Sequence, residues 1–190
     1  MEVKEDVSVQ QYFEELVPQI FAEQINTVII SGMEGTRFAL SFNIQNGTAQ
    51  TYSVLITDAK DVKVVTGPVD SPTVNIFLTE DTWRQAVTGK LAGAMELFTD
   101  AARIANRGMY ERILSTAGTL ALDLARSDGD NVALKIVFNG AEKPEVTFRC
   151  AVDDWMSIVK GELDGMNAFM SGKMKIDGDM MFAMSLNSLM

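Results

Sequence analysis

Histidine is absent from this 190-residue chain, and cysteine occurs once, as Cys150. The first absence removes Ser-His and Cys-His nucleophile pairs and every imidazole metal ligand. The second excludes an internal disulfide, which suits a reducing compartment. Basic residues are few. Sixteen Lys and Arg against 26 Asp and Glu leave a formal net charge of −10 at pH 7. Such a surface repels the phosphates of nucleic acid and an anionic membrane alike. No apolar run approaches the ~20 residues that span a bilayer. The start, MEVKEDVSVQ, is charged and offers no secretory apolar stretch. The last three residues, Ser188-Leu189-Met190, are not the peroxisomal Ser-Lys-Leu signal. The expected setting is the cytoplasm. Phosphate-binding glycine loops are missing. The acidic sets Asp128/Asp130, Asp153/Asp154 and Asp177/Asp179 lack the spacing of a calcium loop and read as caps and turns. No cofactor, metal or catalytic set is expected, so the chain reads as a non-enzyme.

What is present is apolar residue, 47% of the chain, enough for a real core in one large domain or two small ones. Much of it is written twice. At a spacing of 72 residues, PTVNIFLTEDTWRQAVTGKLAG from Pro72 lies over PEVTFRCAVDDWMSIVKGELDG from Pro144. The match superposes Asp81 on Asp153, Trp83 on Trp155, Gly89 on Gly161 and Gly93 on Gly165. Upstream the spacing becomes 82, placing Phe38, Leu40 and Phe42 over Leu120, Leu122 and Leu124. The second copy therefore lacks ten residues, corresponding roughly to Asp61–Asp70 with the strand-like VKVVTG. Internal repeats bear directly on fold. The expected units are residues 1–116 and a shortened 117–190, packed as one body.

Local signals fill in the elements. Val9, Tyr12, Phe13, Leu16, Val17, Ile20 and Phe21 form one helical stripe, opened by a Ser8/Gln11 capping box. Pro18 lies inside that stripe and should kink or split the helix, at a cost of ~3 kcal/mol unless compensated. Strands are expected over Arg37–Ile44, around Tyr52–Ile56, over Val62–Val65 and over Val74–Leu78, with an Asn46-Gly47 hairpin turn. A helix carrying Trp83 follows and stops at Gly89. The second unit repeats this as Leu120–Ala125, Val132–Phe138, Val146–Val152 and the Trp155 helix. Between the units, Ala92–Ala117 reads as one or two helices. Each strand leaves one face apolar, so a sheet with helices on one side is expected.

The closing segment, DWMSIVKGELDGMNAFMSGKMKIDGDMMFAMSLNSLM, is the most specific stretch. Trp155, Gly161, Phe169, Gly172, Lys173, Met174, Lys175, Ile176, Gly178, Ala183 and Leu186 follow a pattern that resembles the end of the sterol carrier protein-2 (SCP2) family. The resemblance implies an α+β fold, a mostly antiparallel sheet covered by helices, here as two tandem units with a shortened second copy. It also implies non-enzymatic binding of a fatty acid, acyl-CoA, sterol-like or isoprenoid lipid in an apolar cavity. A structural protein with a filled cavity, assisting an enzyme of lipid or quinone metabolism, is the alternative. The partner expected is a hydrophobic small molecule, with a homodimer or a partner enzyme besides, and neither nucleic acid nor an integral membrane segment. Flexible thioethers suit irregular apolar ligands. The candidate lining residues are Trp155, Met166, Phe169, Met170, Met174, Met181, Met184, Trp83, Phe13 and Leu16. The last helix, with Asp179 as its cap, is apolar on nearly every face and is expected to be enclosed. A lipid, the other repeat or a second copy of the chain would cover it. Lys173 and Lys175 read as the solvent side of an edge strand, and Cys150 as a small buried hydrophobe.

Overall fold

The structure, a computed structural model, describes residues 3–91, 100–127, 129–187 and 189. The chain enters as α1 (Val9–Gln11), a π-helical turn over Tyr12–Leu16, and α2 (Val17–Ile25). Ser8 caps α1, accepting from Gln11 N at 3.0 Å. The Gln11 side chain turns to Glu15 rather than back to the cap, so only half of the capping box forms. Pro18 sits in the first turn of α2, where a missing N–H costs least. The wider π turn ahead of it takes up the mismatch, so the helix is split there without being lost.

Four strands follow: β1 (Arg37–Asn46), β2 (Thr48–Thr57), β3 (Asp61–Thr66) and β4 (Val74–Thr79). Then come α3 (Glu80–Val87), α4 (Ala101–Ile104) and α5 (Arg107–Ser115). The expected helix over Ala92–Ala117 thus appears as α4 and α5, and its stretch 92–99 lies outside the described residues. Next are β5 (Gly118–Ala125), β6 (Val132–Phe138), β7 (Glu145–Ala151) and α6 (Val152–Val159). The chain closes with α7 (Gly165–Met170), β8 (Met174–Gly178) and α8 (Met180–Leu186). Among the described residues no helix is long and apolar enough to cross a membrane.

All eight strands join one sheet in the order β3-β2-β1-β4-β6-β5-β7-β8. Two pairings are parallel, β1 with β4 and β5 with β7, and the rest are antiparallel. The fold is α+β. The topology repeats as the sequence does: a hairpin, then a third strand parallel to the hairpin's first, then a Trp-bearing helix. The ladders correct one detail. Leu40 pairs with Val74 as Leu120 pairs with Val146, so Phe42 answers to Leu122 and not to Leu124. The alternating Leu pattern fits either register on the same face, and hydrogen bonding to the third strand selects between them. The expected boundary at 116/117 falls between α5 and β5. α5 reaches both sides of it: Tyr110 Oη accepts from Arg37 N at 3.2 Å, and Asn139 donates to the Ile113 and Thr116 carbonyls at 2.9 and 2.7 Å.

Even-numbered strand residues form one continuous apolar face. Phe42, Ile44, Tyr52, Val54, Ile76, Leu122, Ile136 and Phe148 are all buried there under the helices. Phe13 stacks on Tyr52 at 4.9 Å and meets Phe42 at 5.1 Å, which fastens the first helix to β1 and β2. The opposite face is polar, with Ser41 bonded to Ser53 at 2.8 Å and Asn43 to Asn75 at 2.5 Å. The last helix departs from expectation. α8 buries Phe182, Ala183 and Leu186, while Met180, Met181 and Met184 are exposed. A helix at the end of the sheet has core on one side only, and the described chain puts nothing over the other.

Candidate functional site

A sizeable apolar hollow lies at the β8 end of the sheet. Its floor is Phe148 on β7 with Met174 and Ile176 on β8. Strand pairing sets the floor, because Phe148 lies opposite Ile176 and Cys150 opposite Met174 on the even face. One wall is α7, contributing Gly165, Met166 and Phe169. Asp164 starts that helix by accepting from Asn167 N at 2.9 Å. The other wall is α8, contributing Met180, Ala183 and Met184, with Asn187 just past its end. The hollow has a volume of about 330 Å³, and its described lining is almost wholly apolar. The hollow opens to solvent between the two helices, where Met166, Phe169, Met180 and Met184 remain partly exposed.

Two close backbone approaches hold α8 in place. Gly178 ends β8 with φ of +112°, and a Cβ there would collide with the Glu145 carbonyl. That same carbonyl accepts from Asp179 N at 2.9 Å, and the Asp179 carboxylate caps α8 through Phe182 N at 2.8 Å. Phe182 then lays its ring over Gly118, at the start of β5. A Cβ on Gly118 would lie 2.7 Å from that ring and 2.6 Å from the Pro144 carbonyl. Both glycines are therefore conditions for the pocket wall.

The site is electrostatically quiet. Lys173 bonds Asp154 at 2.8 Å, and Arg149 bonds Asp177 at 2.8 Å on the opposite face of the sheet. Cys150, buried beside Met174, has its thiol pushed up to about 11 by burial, with the Asp154 carboxylate adding to the shift. It carries no thiolate at neutral pH and is not poised as a nucleophile. Among the described residues no cluster of His, Cys, Asp and Glu could hold a metal ion.

The pocket gathers Met166, Phe169, Met174 and Met184 of the sequence-predicted lining. Met170 and Met181 stand beside it but face solvent, at 69% and 77% exposure. Trp83, Trp155 and Phe13 are buried in the core outside the lining, and Leu16 is half-buried against that core. Both Trp residues follow an acidic helix start, and both indole N–H groups are buried without a hydrogen-bond partner. Their large rings lock helix to sheet in each half, under the helices. Sequence reasoning did not count Phe148, Gly165, Ile176, Ala183 or Asn187 in the lining. Phe148 and Ile176 were legible as members of the same even face as Met174. Asn187 carried no signal. Under α5 in the first half lies a second hollow of only about 20 Å³, lined by Phe38, Met109 and Tyr110 among others. It has room for a water molecule and not for a lipid.

Residues 101–190 match the model of the SCP-2 sterol transfer family. The match takes in α4 and α5 together with the whole of the second half. Over 70 residues the chain is 40% identical to peroxisomal multifunctional enzyme A of Dictyostelium discoideum, covering 37% of this chain and 15% of that protein. Over 88 residues it is 35% identical to hydroxysteroid dehydrogenase-like protein 2 of Bos taurus, covering 45% of this chain and 20% of that protein. The chain thus spans a fifth or less of these relatives. Among solved structures, the sterol carrier protein domain 2 of Helicoverpa armigera is 28% identical with a TM-score of 0.35, covering 53% of this chain and 80% of that one. Palmitated SCP2L2 from Aedes aegypti is 12% identical with a TM-score of 0.27, covering 96% and 94%.

Proposed function

From the SCP-2 sterol transfer segment that this chain carries at residues 101–190, we propose that the protein is a non-enzymatic carrier of a hydrophobic small molecule held between α7 and α8. The observation that supports this is the apolar hollow of about 330 Å³, roofed by flexible methionines and open at one side. That size falls at the lower end of small-molecule sites, which run from roughly 300 to 1,000 Å³. Transfer of a tail from water contributes ~0.8 kcal/mol per CH₂. About ten methylenes buried this way match the ~8 kcal/mol of a micromolar complex. Thioether chains have no branch at Cβ and few preferred shapes, so the roof can close on tails of differing form. The lack of histidine and a buried thiol that is protonated at neutral pH favour a binding role over a catalytic one. The test is titration of delipidated protein with a fluorescent acyl probe. Saturable binding that unlabelled lipid displaces supports the carrier, and its absence across acyl, sterol and isoprenoid probes ends it.

A second reading has its own support. Met170 and Met181 are turned to solvent outside the hollow, and the named relatives are much longer enzymes. On this reading the methionine surface docks an enzyme of lipid or quinone metabolism. Co-purification of a defined enzyme by a protein that binds no probe distinguishes it. As to place, the lone cysteine favours the cytoplasm, and the Dictyostelium relative is peroxisomal by name. Cell fractionation decides between them.

A further inference from the structure

Of the eight large apolar side chains that the described chain leaves exposed, six stand on α7 and α8, and five of those six are methionine. Their exposure runs from 42% at Met180 to 77% at Met181, whereas Met33 and Met174 are 2% and 4% exposed. We propose that the methionines of α7 and α8 are a modification site for hydrogen peroxide, and that sulfoxide formation at Met166, Met180 and Met184 releases the apolar ligand. The proposal rests on the carrier reading above and adds a control of its site by oxidation.

The sulfur chemistry of the chain points one way. Peroxide acts on a thiolate or on a thioether. The thiolate route is closed at neutral pH, because Cys150 is buried and keeps its proton. A thioether has no proton to lose, so its oxidation follows access to the oxidant. In that step the sulfur attacks one peroxide oxygen. The O–O bond breaks, an S–O bond forms and sulfur gives up two electrons. The other oxygen leaves as water, taking the proton of the first.

The consequence depends on where the sulfurs stand. Met166 on α7 and Met180 and Met184 on α8 line the hollow and are also exposed at its opening. Met170 and Met181 are more exposed still and lie outside the lining. A sulfoxide replaces a flexible apolar side chain by a polar one. Each oxidised lining residue has two courses. It turns its oxygen into a hollow whose described lining has one other polar side chain, Asn187, or it swings to water and takes its part of the roof away. Both weaken the hold on an apolar tail. α8 itself should stay in place, because Phe182, Ala183 and Leu186 anchor it and none of them carries sulfur. The change is reversible. A sulfoxide reductase supplied with a dithiol returns the thioether and leaves disulfide and water.

The test treats delipidated full-length protein with hydrogen peroxide at pH 7, maps the sulfoxides by peptide mass spectrometry, and titrates fluorophore-tagged dodecanoate once the peroxide is removed. The five methionines of α7 and α8 are expected to oxidise before Met33 and Met174. Affinity for the probe should fall about ten-fold or more at nearly unchanged melting temperature, and recover after treatment with both epimer-specific sulfoxide reductases and dithiothreitol. Unlabelled dodecanoate present during oxidation should slow sulfoxide formation at Met166, Met180 and Met184 but not at Met170 and Met181. A Met166→Leu/Met180→Leu/Met184→Leu protein, whatever its starting affinity, should keep that affinity through peroxide treatment. A Met170→Leu/Met181→Leu protein should lose affinity as the parent does. Oxidation of Met33 and Met174 at the same rate, unchanged affinity in the oxidised parent, or an equal loss in the triple-leucine protein overturns the proposal. If the untreated protein binds no probe, the carrier reading fails and the control fails with it, an outcome distinct from binding that survives oxidation.

Discussion

Gly118→Ala adds one methyl group and should loosen the pocket from the back. Gly118 opens β5 with φ of +143°, a conformation that L side chains rarely adopt. Holding Ala there costs of the order of 1–3 kcal/mol. The new Cβ would also stand 2.6 Å from the Pro144 carbonyl and 2.7 Å from the Phe182 ring. The carbonyl cannot yield easily, because it accepts from Thr119 N at 2.8 Å. Phe182 is buried under α8 and can move only by carrying the helix with it. Overpacking of this kind typically costs a further 1–3 kcal/mol. Together the two effects come to about 4 kcal/mol, which for a chain near this length lowers the melting temperature by roughly 8–16 °C. Urea unfolding should show the same loss in midpoint with little change in slope. Gly165→Ala is the control. Gly165 starts α7 at ordinary φ, and its Cβ would meet only Asn187 Oδ1 at 3.6 Å. It should leave stability unchanged or raise it slightly. A Gly118→Ala protein melting within ~2 °C of the parent would show that Phe182 does not pack on β5 as described.

Other expectations are more direct. Met180→Asp or Met184→Asp should weaken binding of a fluorescent lipid about ten-fold or more at nearly unchanged melting temperature, since both side chains are partly exposed. Lys173→Ala should alter neither by a measurable amount, because its contact with Asp154 is a surface ion pair. Cys150 should resist iodoacetamide at pH 8 in the folded protein and react once it is unfolded. The folded thiol titrates near 11 against 9.0 without the fold. Its burial therefore leaves stability untouched below pH 9 and lowers it as pH rises from about 9 towards 11, a limb that Cys150→Ala should flatten. Residues 101–190 expressed alone should self-associate or fail to fold, read by light scattering and circular dichroism. Removal of β4 strips the ladder from β6 and uncovers Leu134, Ile136 and Phe138.

Much of this was readable before any coordinates. The period-two rows of Phe38–Ile44 and Leu120–Leu124 carry the strands, and the Trp and Gly spacings carry the repeat. The site was half readable. Met166, Phe169, Met174 and Met184 followed from the closing pattern, and the structure brings them to one hollow. Trp83, Trp155 and Phe13 misled for one reason: a large aromatic at a helix start is as good a core anchor as a pocket wall, and sequence does not distinguish the two. The enclosure expected of α8 misled for another. Apolarity on all faces says that something should cover a helix, but not what, and the described chain leaves this face uncovered. Asn187 lay beyond reach, since it joins the lining only when four separate elements are brought together.

The two hollows differ in size, and the sheet order explains why. Phe148 pairs with Ile176 and Val146 with Gly178 on β8. In the first half, Ile76 pairs with Ile136 and Val74 with Phe138 on β6, in the same register. So β6 of the second half stands where the first half would need its own counterpart of β8. The reverse also holds. β4 lies against β6 as β3 lies against β2, filling the place of the strand that the shortened second copy lacks. Each half lacks one edge, on opposite sides, and the two bare edges meet to make one sheet. The free edges that remain are β3 and β8, which carry Asp61 and Lys63 at one end and Lys175 and Asp177 at the other, charges that discourage further strand addition. Joining in this way leaves the first half without its own counterpart of β8. A strand end followed by a cap and a helix, as in Gly178-Asp179-α8, roofs a hollow of about 330 Å³. Where β6 runs instead, that room is sheet, and about 20 Å³ is left under α5. A chain with two repeats should accordingly bind one ligand per molecule, and native mass spectrometry of the lipid-loaded protein should find a single adduct. Two adducts of equal occupancy would mean that the first half holds a ligand site of its own.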